Sequence, residues 1–172
     1  MTRHRFALAM FLIAAFLAPG TWAADAPAIS ARKVDHILVL KAERTLQLMS
    51  GKDLIKTYKI ALGTQPVGAK QKQGDRKTPE GNYVINGRNP HSQFHRSLRI
   101  SYPNAADRER ARKQKVDPGG DIMIHGIGKQ FGWLGGLHRQ SDWTLGCIAV
   151  TNEEIEEIWK LVPNGTPIEI RP

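Results

Sequence analysis

Residues 34–62 read VDHILVLKAERTLQLMSGKDLIKTYKIAL. Three apolar stretches are separated by two short polar turns. Val34–Lys41 is apolar with partial alternation. Thr45–Ser50 alternates, with Leu46 and Leu48 on one face. Leu54–Leu62 is the third stretch. Glu43-Arg44 and Gly51-Lys52 break the pattern between them. Period-two alternation over short runs, punctuated by turn residues, predicts strands joined as an antiparallel meander.

The rest of the chain extends this reading. Residues 63–81 (GTQPVGAKQKQGDRKTPEG) form a long polar stretch carrying Lys70, Lys72, Arg76 and Lys77. A loop of this length in a compact domain is often functional, and a solvated surface loop is the plain alternative. Tyr83–Asn86 predicts a strand, His91–His95 a polar connection, and Ser97–Tyr102 another strand stopped by Pro103. Ala105–Lys115 has helix-forming composition with few apolar residues, which predicts a short surface helix. Asp121–His125 predicts a short strand, as do Ile148–Val150 and Thr166–Ile170. Between these last strands lies the clearest helix. Thr151 and Glu154 stand at capping-box spacing, and Ile155, Ile158, Trp159 and Val162 share one face. Pro163-Asn164-Gly165 ends it. The fold class is therefore mainly β, with one C-terminal amphipathic helix and one short surface helix.

The bulk properties narrow the setting. At 172 residues with 41% apolar content, the chain suits one domain with a real core. The net charge is +9 and the pI about 9.9, which fits nucleic acid, an anionic membrane or an acidic polymer as partner. The N-terminus favours export. Arg3 and Arg5 precede an apolar run, Phe6–Ala18, that is short for a membrane span. Pro19-Gly20 and then Thr21-Trp22-Ala23 follow, the pattern of a signal peptide over 1–23, cleaved after Ala23. Residues 24–33 are a lead-in, and the domain occupies 34–171. Cleavage removes Arg3 and Arg5 and leaves a charge of +7. Export and the lack of a recognition helix argue against nucleic acid.

Cys147 is the sole cysteine, so no intramolecular disulfide forms. In an oxidising compartment such a thiol is either buried and inert or kept for chemistry. It lies in DIMIHGIGKQFGWLGGLHRQSDWTLGCIAVTN, residues 121–152, which glycines break into short extended pieces and loops. A nucleophilic thiol needs a base, and His125 and His138 are the candidates. His125 ends an apolar strand beside Gly126. Should that strand pair with the one after Cys147, both side chains emerge at one rim. A core cysteine and a surface histidine are the bland alternatives. A single Cys with scattered His shows no metal-ligand spacing.

His125-Gly126 followed at a distance by Thr144-Leu145-Gly146-Cys147 resembles the signature of the L,D-transpeptidase catalytic domain (YkuD-like) family. DIMIHG, DWTLGCIAVTN and EIEEIW resemble its YafK-type branch most, and Lys77-Thr-Pro-Glu-Gly-Asn-Tyr resembles the family's TP-x-G stretch. The likeness spans about 34–171. It implies a β-sandwich and an enzyme without metal or organic cofactor, acting on peptidoglycan stem peptides in the periplasm or cell envelope. It implies Cys147 as nucleophile and His125 as proton donor and acceptor. Gly146, Thr144 and Gly126 would support an oxyanion site, and His138, Arg139 and Trp133 would contact substrate. Leu145 and Ala149 depart from the common motif, which often has His or Asn and Arg there. The YafK-type branch shares these departures and includes members that release a protein from peptidoglycan, so a peptidoglycan-linked envelope protein is a further candidate partner. Hydrolysis is thus an alternative to cross-linking, and a non-catalytic module for an anionic polymer is a third reading. Nothing in the residues specifies an oligomeric state.

Overall fold

The computed structural model describes residues 33–172. The predicted signal peptide, and all of the lead-in except Lys33, lie outside the described residues.

The meander forms as its alternation requires. β1 (His36–Leu40), β2 (Thr45–Ser50) and β3 (Asp53–Lys59) pair antiparallel in sequence order. Ile37 faces Leu48 and Val39 faces Leu46 across β1 and β2. All four are fully buried, so one pleated face is core, and the cross-strand pairs that define it also fix the register. β8 (Pro167–Arg171) adds to the other edge of β1 in parallel, setting Ile168 beside Ile37 and Ile170 beside Val39.

β4 (Gly81–Ser92) joins two layers. Its first residues pair with β8, and the remainder pairs with β5 (His95–Ile100). The changeover coincides with a bulge between Ile85 and Gly87, where an extra residue bends a strand. β6 (Met123–His125) pairs antiparallel with β5, and β7 (Ile148–Ala149) pairs parallel with β6. The strand order is β3-β2-β1-β8-β4-β5-β6-β7. The two ends of this sheet also meet. Ala61 and Ala149 exchange both backbone hydrogen bonds, at 2.9 and 2.8 Å. The result is a mainly β, two-layered sandwich around a single apolar cluster to which both halves contribute.

β4 is far longer than the predicted Tyr83–Asn86, and it takes in part of the expected His91–His95 connection. Residues 87–92 lack alternation because bulged pairing with β5, not burial, holds them in the strand. Residues 129–140 also differ from the expected extended pieces and loops. Lys129–Gln140 is 3-10 helical with a kink at Gly135.

α1 (Ala105–Gln114) opens with a capping box between Asn104 and Asp107. It is tied down more firmly than a surface helix, because Asp107 is buried and accepts hydrogen bonds from Tyr83 Oη and Arg110 Nη2. α2 (Asn152–Leu161) carries the predicted Thr151–Glu154 capping box. Ile155, Ile158 and Val162 are fully buried, each contributing roughly 1.5–3 kcal/mol of apolar burial. Arg88 donates to the carbonyls of Trp159 and Val162 at 2.6 and 2.9 Å and lies over the Trp159 ring. A cation there satisfies terminal carbonyls and complements the helix dipole.

Candidate active site

Parallel pairing of β6 and β7 brings the sequence-separated histidine and cysteine together. Ile124 pairs with Ile148, and His125 with Ala149. Cys147 therefore falls beside Met123, two residues before His125 and on the same face. Both side chains line a cleft of about 660 Å³. The rim predicted from sequence exists because the two strands are direct neighbours.

The turn entering Cys147 is held by one hydroxyl. Thr144 Oγ1 accepts from the Gly146 N–H at 3.1 Å and donates to the Cys147 carbonyl at 2.8 Å. Thr144 also anchors the strand ends, accepting from Thr64 N–H and donating its own N–H to Leu62 O. Gly146 has a φ of +137°, and a Cβ there would come within 2.7 Å of the Lys77 carbonyl. Only glycine fits this position. With the Gly146 N–H occupied, the Cys147 N–H is the donor that stays free at the turn.

His125 is buried and fixed by its own neighbours. Its Nδ1 lies 2.5 Å from the Gly126 carbonyl. A carbonyl only accepts, so Nδ1 carries the proton and Nε2 is left as the base. The imidazole packs on Phe94 at 4.4 Å between ring centroids and edge-on to Trp143 at 5.8 Å. Gly126 permits this packing, since a Cβ would meet Asn152 Oδ1 at 2.5 Å and the Phe94 carbonyl at 2.9 Å. Burial lowers the His125 pKa, partly opposed by the Gly126 hydrogen bond. Burial also pushes the Cys147 thiol up, partly opposed by the Met123 N–H. Both shifts favour a neutral thiol beside a neutral imidazole. Cys147 Sγ donates to the Asp121 carbonyl at 3.5 Å.

The remaining predicted contacts lie elsewhere. His138 is buried behind Trp143, whose Nε1–H donates to His138 Nδ1 at 3.3 Å. Burial pulls its pKa down to about 4. Arg139 is committed to Glu154 and to the Lys59 carbonyl. Trp133 is 78% exposed and does not line the cleft. All three belong to the 3-10 segment Lys129–Gln140. The cleft instead takes Phe94, Asp121, Trp143 and, from the long polar loop, Lys70 and Arg76. Phe94 left no signal in sequence, because it stands in a polar turn. Among the described residues, no three or more His, Cys, Asp or Glu converge as a metal site.

The sequence model of the YkuD L,D-transpeptidase catalytic domain matches residues 34–170. The chain belongs to this family. It is 34% identical over 133 residues to the YafK protein of Escherichia coli K12, covering 74% of this chain and 46% of that protein. It is 27% identical over 135 residues to the YkuD protein of Bacillus licheniformis, covering 75% and 61%. Among solved structures, the helical cell shape determining protein Pgp2 of Campylobacter jejuni (K307A mutant) superposes with a TM-score of 0.63. The identity is 26%, over 82% of this chain and 48% of Pgp2. Bd1075 of Bdellovibrio bacteriovorus gives 0.54 at 29% identity, over 83% and 49%. The chain thus spans about half the length of YafK, Pgp2 and Bd1075.

Proposed function

We propose that this protein is an exported cysteine acyltransferase that acts on peptidoglycan stem peptides as an L,D-transpeptidase. The observation that carries the proposal is the placement of Cys147 and His125 on one face of adjacent parallel strands, in one cleft, with His125 Nε2 unprotonated. The thiol rotates from the Asp121 carbonyl and gives its proton to Nε2 as Sγ attacks the carbonyl of the diaminoacyl residue. The Cys147 N–H stabilises the oxyanion. The C–N bond breaks, the imidazolium returns the proton to the departing amine, and a thioester remains. An acceptor amine then attacks the thioester, His125 takes the amine's proton, and Sγ leaves as the thiol. Water in place of the amine gives hydrolysis through the same acyl-enzyme.

The test uses purified mature protein and tetrapeptide-stem muropeptides, with and without an acceptor amine. Product in which the donor stem is joined to the acceptor is expected, together with a carbapenem mass adduct on Cys147. Unchanged activity in Cys147→Ala, or an unreactive thiol, would sink the proposal. Exclusive hydrolysis in the presence of acceptor would reassign the protein as an endopeptidase. Salt-sensitive polymer binding indifferent to Cys147 and His125 would mark a binding module.

A further inference from the structure

Phe94 and Trp143 both bear on the His125 imidazole, at centroid distances of 4.4 and 5.8 Å. The hydrogen bond from Nδ1 to the Gly126 carbonyl fixes one atom of that ring. The angle of the ring, and so the direction of Nε2, is left to the aromatic walls. Trp143 is pinned along its backbone, since Asp142 accepts from the Leu62 N–H at 2.9 Å and the Thr144 N–H donates to the Leu62 carbonyl at 3.0 Å. The far end of the indole has one polar tie among the described residues. Its Nε1–H donates to His138 Nδ1 at 3.3 Å, with the two rings at 83°.

His138 is a costly choice for packing alone. An indole N–H only donates, so Nδ1 accepts through its lone pair and the ring proton sits on Nε2. That Nε2–H is buried and has no protein partner among the described residues. A buried donor without a partner costs stability, and an aliphatic side chain of similar size avoids the cost. What histidine adds is the acceptor that Trp143 uses. Its place is set from outside the cleft. Arg139, the next residue, is tied to Glu154 at 3.0 Å and to the Lys59 carbonyl at 2.8 Å. Arg139 and Glu154 are also the charged groups that face His138, with opposite effects on it, and they are paired with each other. Burial, reinforced by the Arg139 charge, keeps the imidazole neutral, so Nδ1 stays an acceptor through neutral pH.

We infer that His138 is a positioning residue for His125 that acts through Trp143: its Nδ1 holds the indole, and the indole sets the angle of the imidazole base in the cleft. This deepens the proposed function and rests on it. His138 then contributes to acyl transfer without touching the substrate.

The test compares His138→Leu, which fills the site without an acceptor, with His138→Asn, which sets Oδ1 close to the place of Nδ1. Trp143→Phe keeps a ring and removes the donor. Single-turnover acylation of Cys147 by a stem peptide is followed against pH. His138→Leu and Trp143→Phe should each slow acylation roughly 10–100-fold, and the double variant should be no slower than Trp143→Phe alone. His138→Asn should recover most of the rate. With the indole loose, water reaches His125 and burial depresses its pKa less. The acid limb of the profile should therefore move to higher pH, toward ~6.5. Titration of the His125 ring protons by NMR, assigned with His125→Gln, should show the same rise without substrate. A role in packing alone makes His138→Leu at least as active as His138→Asn, because it removes the unpaired donor. That order, or an acid limb and a His125 titration unmoved in His138→Leu, overturns the inference. Trp143→Phe removes the same hydrogen bond from the other side and decides the matter should His138→Leu fail to fold. A shifted His125 titration in a protein that shows no acylation even when unmutated would instead overturn the proposed acyl transfer.

Discussion

At Cys147 and His125, the opposing pKa shifts decide which charge state waits for substrate. A lowered imidazole and a raised thiol describe a general-base pair, not a resting thiolate–imidazolium ion pair. The base form of His125 is retained below the ordinary histidine value of ~6.5. Acylation of Cys147 by a stem peptide should therefore hold steady through neutrality and fall only on the acid side of that value. Iodoacetamide alkylation should climb continuously past pH ~8.5 as thiolate forms. A plateau of alkylation below neutrality would contradict the neutral pair. His125→Gln should slow acylation roughly 10²–10⁴-fold in single-turnover experiments. Thr144→Val strands the Gly146 N–H and the Cys147 carbonyl, so it should cost about 2 kcal/mol in urea unfolding and slow acylation as well. Unchanged stability would remove Thr144 from the turn.

Among the elements, α2 is the one whose formation is written locally and whose position serves the cleft. Asn152, its first residue, accepts from the Ile127 N–H at 3.0 Å and donates to the Gly128 carbonyl at 3.2 Å. This holds the chain just past His125-Gly126. Thr151→Ala removes the cap and should lower stability by about 1 kcal/mol, read as a shifted denaturation midpoint with unchanged slope. Ile158→Ala should cost about 2–5 kcal/mol by the same measurement, because the fully buried side chain leaves a cavity. A loss below ~1 kcal/mol for Ile158→Ala would mean that the helix face is not core. The 3-10 segment shows the contrary behaviour. Its glycines break helical periodicity, and it takes its shape from tertiary ties such as Arg139 to Glu154.

Across the whole molecule, the cleft stands where the sheet closes on itself. Asp142 is a tether at that closure. It receives Arg44 from the β1–β2 turn at 2.8 Å and the Leu62 N–H at 2.9 Å, immediately before Trp143 of the cleft wall. Asp142→Ala should destabilise the protein by roughly 1–3 kcal/mol and raise KM for stem peptides, through a displaced Trp143. A full retention of both would show that closure does not depend on this link. The amino-acid sequence determined the strands of the meander, both helices and the pairing of His125 with Cys147 as candidates, because alternation, helix-forming composition, the Thr151–Glu154 cap and the His-Gly and Thr-x-Gly-Cys spacings are local patterns. It did not determine the length of β4, whose second half is strand only because β5 hydrogen-bonds to it across bulges. Nor did it place Arg76, Asp121 and Phe94 in the cleft or send His138, Arg139 and Trp133 away from it. Those assignments depend on which backbone approaches which across the closed sheet, a long-range outcome of burial and pairing that no local periodicity encodes.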